Sequence, residues 1–141
     1  MKNKKKTLIV ILASIIIVAF VLSFIPRIRV NLFVNCYHSD IEESLSNGNG
    51  VPSDETLLFG YKSVNTWDNK HPMTEFIIMS YGFTYYGCYY SKDDVPLSFQ
   101  NTDVELIQTE DNKWEWKAEG DNKGSTSKIM KNWYYFEASF W

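Results

Sequence analysis

The chain has 141 residues and a formal net charge of −3, but its charges are unevenly distributed. All seventeen acidic residues lie beyond position 29, where only eight lysines and no arginine oppose them, so residues 30–141 carry 8 − 17 = −9. An acidic, arginine-free stretch is a poor candidate for binding nucleic acid or anionic lipid, because both ligands need basic surfaces.

The first predicted element is an apolar segment, 7–25, which contains no charged residue. Nineteen residues in an α-helix cover about 28 Å, close to the thickness of a bilayer's hydrocarbon core. The segment therefore predicts a transmembrane anchor that follows a basic tail at 1–6. The alternative is a cleaved signal peptide, but such a peptide should be shorter and be followed by a small-residue cleavage site.

The residues that flank this segment predict its orientation. Four lysines and the amino terminus precede it, whereas only Arg27 and Arg29 follow it closely. The positive-inside rule then places the N-terminus in the cytoplasm. We expect a single-pass protein of the cell membrane, with one domain at 26–141 on the outer side.

Both cysteines, Cys36 and Cys88, belong to this outer domain, where thiols oxidise. A disulfide between them closes a loop of about fifty residues and adds roughly 3–4 kcal/mol. Two free, buried thiols are the alternative. The two histidines are isolated in sequence and no CxxC spacing, nucleophile motif or nucleotide loop is present, so no catalytic residue, metal ligand or cofactor is predicted.

One helix is predicted directly after the anchor. Apolar residues recur there at steps of three and four, and two glycines, Gly48 and Gly50, follow them. A capping box at residues 39–42 predicts instead a shorter helix that begins at Asp40. The apolar stripe of the longer helix consists of Val30, Phe33, Val34, Tyr37, Ile41 and Leu45.

The rest of the domain has strand-like composition, rich in β-branched and aromatic residues. The triplet Asp-Asn-Lys occurs at 68–70, 111–113 and 121–123, and its Asp and Asn suit turns. The predicted fold is α+β, with a helix packed on a twisted antiparallel sheet. Strands are predicted over 57–62, 74–81, 83–90, 97–100, 104–109, 113–118 and 129–141.

Alternation predicts how these strands are buried. Trp114 and Trp116 lie on one face of their strand, and charged residues occupy the other face. The strands 83–90 and 129–141 carry aromatic residues on both faces, which is typical of central strands covered on both sides. The helix covers one face, and the sequence leaves open what covers the second.

The aromatic surplus predicts a binding surface. If Tyr85, Tyr89, Trp133 and Tyr135 share an uncovered face, they form an apolar platform for a partner. The alternative is that they fill the underside of the sheet. The first functional hypothesis is a non-enzymatic module that binds an extracytoplasmic protein, in a specific version an immunity protein against a secreted toxin. Cell-wall glycan recognition through the aromatic face is the second, and a hydrolase is the third.

Two segments resemble a known group of proteins. They are 85–96, with the sequence YYGCYYSKDDVP, and 132–140, with the sequence NWYYFEASF. Both are similar to segments of short, uncharacterised, membrane-anchored proteins of Gram-positive bacteria. The resemblance covers most of the outer domain and implies a membrane anchor, but it implies no activity.

Overall fold

The computed structural model describes residues 2–22, 24–53, 57 and 59–140. It is α+β, with seven described strands in one antiparallel sheet of order β1-β2-β3-β7-β6-β5-β4. The predicted fold class is therefore confirmed. The elements are α1 Lys2–Leu22, α2 Pro26–Ser46, β1 Ser63–Trp67, β2 Met73–Tyr81, β3 Thr84–Ser91, β4 Ile107–Glu110, β5 Lys113–Lys117, β6 Lys123–Met130 and β7 Trp133–Ser139.

Helix α2 corresponds to the longer of the two predicted helices. Pro26 is its first residue, where a missing N–H costs no hydrogen bond, and Asn47 ends it. The predicted stripe is the side that packs on the sheet: its four buried members are Val30, Phe33, Val34 and Ile41. The capping box at residues 39–42 therefore lies inside the helix and does not start it.

Helix α1 covers most of the predicted anchor, of which Ser23 lies outside the described residues. In the described part of the chain, no single helix is long and apolar enough to cross a membrane. Lys6–Leu22 and Pro26–Ser46, a pair of helices bent by 99°, are together long and apolar enough by length and composition alone. The anchor accordingly stays a prediction.

Two predicted strands are wrong, and two real strands were missed: β1 (63–67) entirely and β6 except for its last two residues. The described residues of 57–62 form no strand, and 97–100 overlaps a short 3₁₀ turn, Phe99–Asn101. Strand β6 has the sequence KGSTSKIM, whose small polar residues hide its alternation. The three Asp-Asn-Lys triplets all fall at connections between strands, as predicted. Leu58 and Trp141, also within predicted strands, lie outside the described residues.

The central strands β3 and β7 are covered on both faces, as predicted. On one face Cys88 and Trp133 pack with α2 in a first apolar cluster. On the other, Tyr89 and Tyr134 belong to a second cluster. The chain between β3 and β4 covers that second face, and we call residues 95–106 the crossing segment. It contributes Val95, Leu97, Phe99, Val104 and Leu106.

The predicted Cys36–Cys88 disulfide is wrong. Both thiols are free: Cys36 is exposed, whereas Cys88 is fully buried under α2. Cys36 lies about 120° around the helix from the centre of the apolar stripe, because successive residues turn by about 100°. Its side chain therefore points away from the sheet face on which Cys88 lies.

The different burial of the two thiols has a measurable consequence. In the native chain we expect a thiol reagent to modify only Cys36, because burial raises the pKa of the Cys88 thiol and blocks access to it. A second equivalent should react only in denaturant. The Cys36→Ser variant is the control and should show no fast phase; two fast equivalents in the native chain would contradict this packing.

Gly87 marks the closest approach of the central strands. A Cβ at this position would collide with the Phe76 carbonyl oxygen and lie 2.7 Å from the Phe136 ring. We expect Gly87→Ala to lower the free energy of unfolding by about 3 kcal/mol, because the backbone of β2 must move. Gly82→Ala is the control: it meets no atom within 4 Å and costs about 1–2 kcal/mol for its positive φ. Equal losses in urea unfolding would contradict the prediction.

Candidate functional site

The four residues of the predicted aromatic platform do not share a face. Strands β3 and β7 pair so that Tyr89 is opposite Tyr134 and Cys88 is opposite Tyr135. This register places Tyr85 and Tyr89 under the crossing segment, and Trp133 and Tyr135 under α2. Tyr89 and Trp133 are both 0% exposed. The structure thus uses these rings to build its two cores.

Tyr89 holds the crossing segment on the sheet. Its hydroxyl accepts a hydrogen bond from the Leu97 N–H at 2.7 Å and lies 2.7 Å from Thr126 Oγ1. The Thr126 hydroxyl donates to the Tyr135 carbonyl, so the Tyr89 proton has two acceptors, Thr126 Oγ1 and the Leu97 carbonyl oxygen at 3.1 Å. Burial raises the Tyr89 pKa far above its usual value, which keeps this proton in place.

Trp133 and Tyr135 hold α2 on the opposite face of the sheet. Trp133 Nε1 donates to Glu42 Oε1 at 2.8 Å, near the C-terminal end of α2. At the other end, the Arg27 guanidinium lies 4.3 Å from the centre of the Tyr135 ring and donates to Ser127 Oγ. These contacts fix both ends of the helix and give both aromatic residues a structural role.

The part of the sheet that α2 cannot cover contains a cleft. Seven strands spaced about 4.8 Å apart make a sheet about 29 Å wide, whereas a helix with its side chains is about 10 Å wide. Helix α2 packs over β2, β3 and β7. Among the residues that the structure describes, no helix therefore lies above the edge formed by β4 and β5 on this side.

This cleft has a volume of about 590 Å³, and we call it the edge cleft. The 105–109 stretch forms its outer wall, and β5, β6 and β7 form its floor. β4 is an edge strand, with β5 as its only neighbour in the described sheet. The lining residues are Glu105, Ile107, Thr109, Glu115, Trp116, Lys117, Lys123, Gly124, Ser125, Glu137 and Ser139.

The local sequence explains why the edge cleft is open. On β5, Trp114 and Trp116 pack under the sheet, so Glu115 and Lys117 must lie on the opposite, solvent-facing side. Gly124 has no side chain, and the Trp116 ring fills the place where its Cβ would be. Charged side chains cannot be buried beneath a helix without partners, so this half of the sheet stays uncovered.

The edge cleft combines charged and apolar groups. Three carboxylates and two ammonium groups line it, a net charge of 2 − 3 = −1. Ile107 is 60% exposed on β4, an apolar contact among polar neighbours. In the described part of the chain no group of three or more His, Cys, Asp or Glu is arranged to hold a metal ion. Such a surface suits a polypeptide ligand.

Sequence reasoning missed this site, although one signal for it was present. The alternation of tryptophan with charged residues in β5 is clear in the sequence and marks an uncovered face. Ser125 carries no such signal, because its part of β6 was not predicted as a strand. Glu137 lies within the predicted strand 129–141, but its place in the edge cleft depends on the strand order. Ile107 was placed within a predicted strand, but its edge position depends on the strand order.

A second unusual group, Glu75, lies outside the edge cleft. It is fully buried on β2, and the Gln100 N–H of the crossing segment donates to its Oε2 at 2.8 Å. Its Oε1 has no partner among the described residues. Burial raises the pKa of this carboxyl from 4.5 to about 7, and hydrogen bonds from Gln100 and Asn65 limit the rise.

The raised pKa of Glu75 makes stability depend on pH. Because the folded pKa exceeds the unfolded one, stability falls as pH rises from 4.5 through about 7, by about 3 kcal/mol at most. The neutral variant Glu75→Gln should lose this dependence and exceed the unsubstituted chain in stability at pH 8. Urea unfolding at several pH values measures it. Glu43→Gln, at an exposed site on α2, is the control, and parallel pH profiles for Glu75→Gln and the unsubstituted chain would contradict the prediction.

Comparisons with known proteins add no identification: no family model, no curated protein and no solved structure matches this chain. The resemblance of 85–96 and 132–140 to Gram-positive membrane-anchored proteins therefore stays a prediction.

Proposed function

We propose that this chain is a membrane-anchored binding module whose extracytoplasmic domain takes a protein partner in the edge cleft. One observation carries the proposal. The edge strand β4 is exposed along its whole length, and two of its side chains, Ile107 and Thr109, line a cleft on the sheet face that α2 leaves open.

An extended segment of the partner fits this arrangement. An edge strand presents unpaired backbone N–H and C=O groups, to which an added strand forms main-chain hydrogen bonds. Alternate side chains of that strand then enter the edge cleft and contact Ile107. With three carboxylates against two lysines, the lining of the edge cleft has a net charge of −1 and gives a small preference for basic side chains in the partner. Association should accordingly slow as salt is added.

Membrane attachment is supported by the surface of α1. Its large apolar residues from Leu8 to Leu22 are between 40% and 66% exposed on every side of the helix. A helix that is apolar all round needs an apolar environment, and a bilayer supplies one. The proposed topology has residues 1–6 in the cytoplasm and the β-sheet outside.

The identity of the partner determines the biological role. A secreted toxin as the partner would make this chain an immunity protein, the specific version of the hypothesis. Glycan recognition has less support, because sugars stack on exposed rings and the one ring in the edge cleft, Trp116, is only 3% exposed.

Site-specific photo-crosslinking on intact cells tests the proposal. A photoreactive amino acid at Thr109 lies in the edge cleft, and the matched control is Thr66, an exposed residue of the opposite edge strand, β1. We expect a discrete protein adduct from position 109 and none from position 66. Adducts of equal yield from both positions, or none from position 109, would contradict a partner in the edge cleft.

A substitution then tests the contact itself. Ile107→Asp places a charge on an exposed edge strand, so its stability cost should stay near 0.5 kcal/mol. We expect it to reduce partner capture at least tenfold, since the apolar contact is lost. The control, Thr66→Asp, places the same charged residue on the other edge strand, β1, and should capture the partner normally. Equal capture by both variants would show that Ile107 is not part of the site.

A further inference from the structure

A second cleft, of about 530 Å³, lies where the junction of α1 and α2 meets the end of β2, and we call it the junction cleft. Its walls are formed by the start of α2, by residues 57 and 60–62 before β1, and by the last four residues of β2. The lining residues are Phe24, Arg29, Leu57, Gly60, Tyr61, Lys62, Ile78, Met79, Ser80 and Tyr81.

Hydrogen bonds place this cleft at the end of the predicted anchor. The Tyr81 hydroxyl donates to the Phe24 carbonyl oxygen at 3.0 Å, and α1 ends only two residues before Phe24. Across the cleft, Lys62 Nζ donates to Ser80 Oγ at 2.8 Å. If α1 spans the bilayer, the junction cleft therefore opens at the height of the lipid headgroups.

The charge of the junction cleft is opposite to that of the domain. Its lining holds the cations Arg29 and Lys62, and no carboxylate is among its described lining residues. Arg29 is half-buried, and its guanidinium carries several N–H donors besides the buried Nε. A phosphate oxygen is a natural acceptor for a guanidinium that lines such a cleft. Net composition hides this local basic site, because residues 30–141 carry −9.

Exposed aromatic residues surround the same site. Phe24 is 53% exposed, Tyr81 49% and Phe83 63%; Tyr81 ends β2, and Phe83 lies in the two-residue turn that leads to β3. Aromatic rings are enriched at the membrane–water interface, where the apolar ring enters lipid and a polar group stays wet. The buried side chains of Ile78 and Met79 lie beneath the cleft.

We propose that the junction cleft binds the phosphate headgroup of an anionic phospholipid, with Arg29 and Lys62 as its cationic ligands. Tyr81 and Phe83 insert beside it into the interfacial layer. The inference rests on the proposed membrane anchor and adds to it a specific lipid contact of the outer domain. Lipid binding of this kind holds the domain at one orientation on the bilayer surface.

Lipid retention by the full chain tests the proposal. The protein is reconstituted in nanodiscs of equal parts phosphatidylcholine and phosphatidylglycerol, released in the mass spectrometer, and scored for retained lipid. We expect retention of phosphatidylglycerol at least fivefold above phosphatidylcholine. Lys62→Gln should remove this preference without unfolding the domain, because its side chain is exposed. Lys131→Gln, the same charge change in the β6–β7 turn, is the control and should keep it.

The outcomes separate this site from the anchor. Entry into nanodiscs with equal retention of the two lipids, or a preference that Lys62→Gln leaves intact, overturns the lipid site and leaves the anchor standing. Failure of the chain to enter nanodiscs overturns both proposals. A nitroxide at position 83 in the Cys36→Ser background gives a second readout: collision with oxygen above that with aqueous nickel supports insertion, and the reverse order overturns it.

Discussion

Strands β3 and β7 carry large side chains on both faces, and the whole fold is arranged so that each face is covered. Helix α2 covers one face and is fixed there at both ends, through Trp133 and through Arg27 over Tyr135. The crossing segment covers the other face and is held by the buried Tyr89 hydroxyl. Because a single helix is narrower than a seven-stranded sheet, this solution leaves the β4 edge open. The edge cleft lies on this uncovered part of the sheet.

Sequence periodicity predicted those parts of the fold in which the buried residues recur at the regular spacing of a single helix or strand. The stripe of α2 and the two-faced aromatic pattern of β3 and β7 are examples, because each follows from the geometry of one element. Strand β6 was missed since its residues are small and polar, and its pairing depends on its neighbours. The crossing segment was read as a strand at 97–100, although its apolar residues pack in an irregular chain. The predicted disulfide was wrong because the presence of two cysteines in one compartment does not determine the direction in which each side chain points.

The candidate site was predictable only in part. Aromatic surplus alone does not distinguish a binding platform from a core, and here Tyr89 and Trp133 proved to be core. The polar face of β5 was visible in the sequence, but its position next to an edge required the strand order. The junction cleft was still harder to predict from the sequence. Lys62 and Arg29 line the same cleft only because the chain before β1 packs against α2. Sites built from separate elements carry little signal in any one of them.

The composition of the β4 edge also bears on self-association. An open edge strand can pair with the same strand of a second copy, which is a common route to aggregation. Here the strand is four residues long, has an irregular register with β5 and is bracketed by Glu105 and Glu110. Two copies meeting edge to edge would bring these carboxylates together, although Lys113 Nζ, 3.3 Å from Glu110 Oε1, partly offsets the charge of Glu110. A short, irregular and charged edge therefore disfavours pairing between two copies of the chain without covering the backbone groups that an added strand would need.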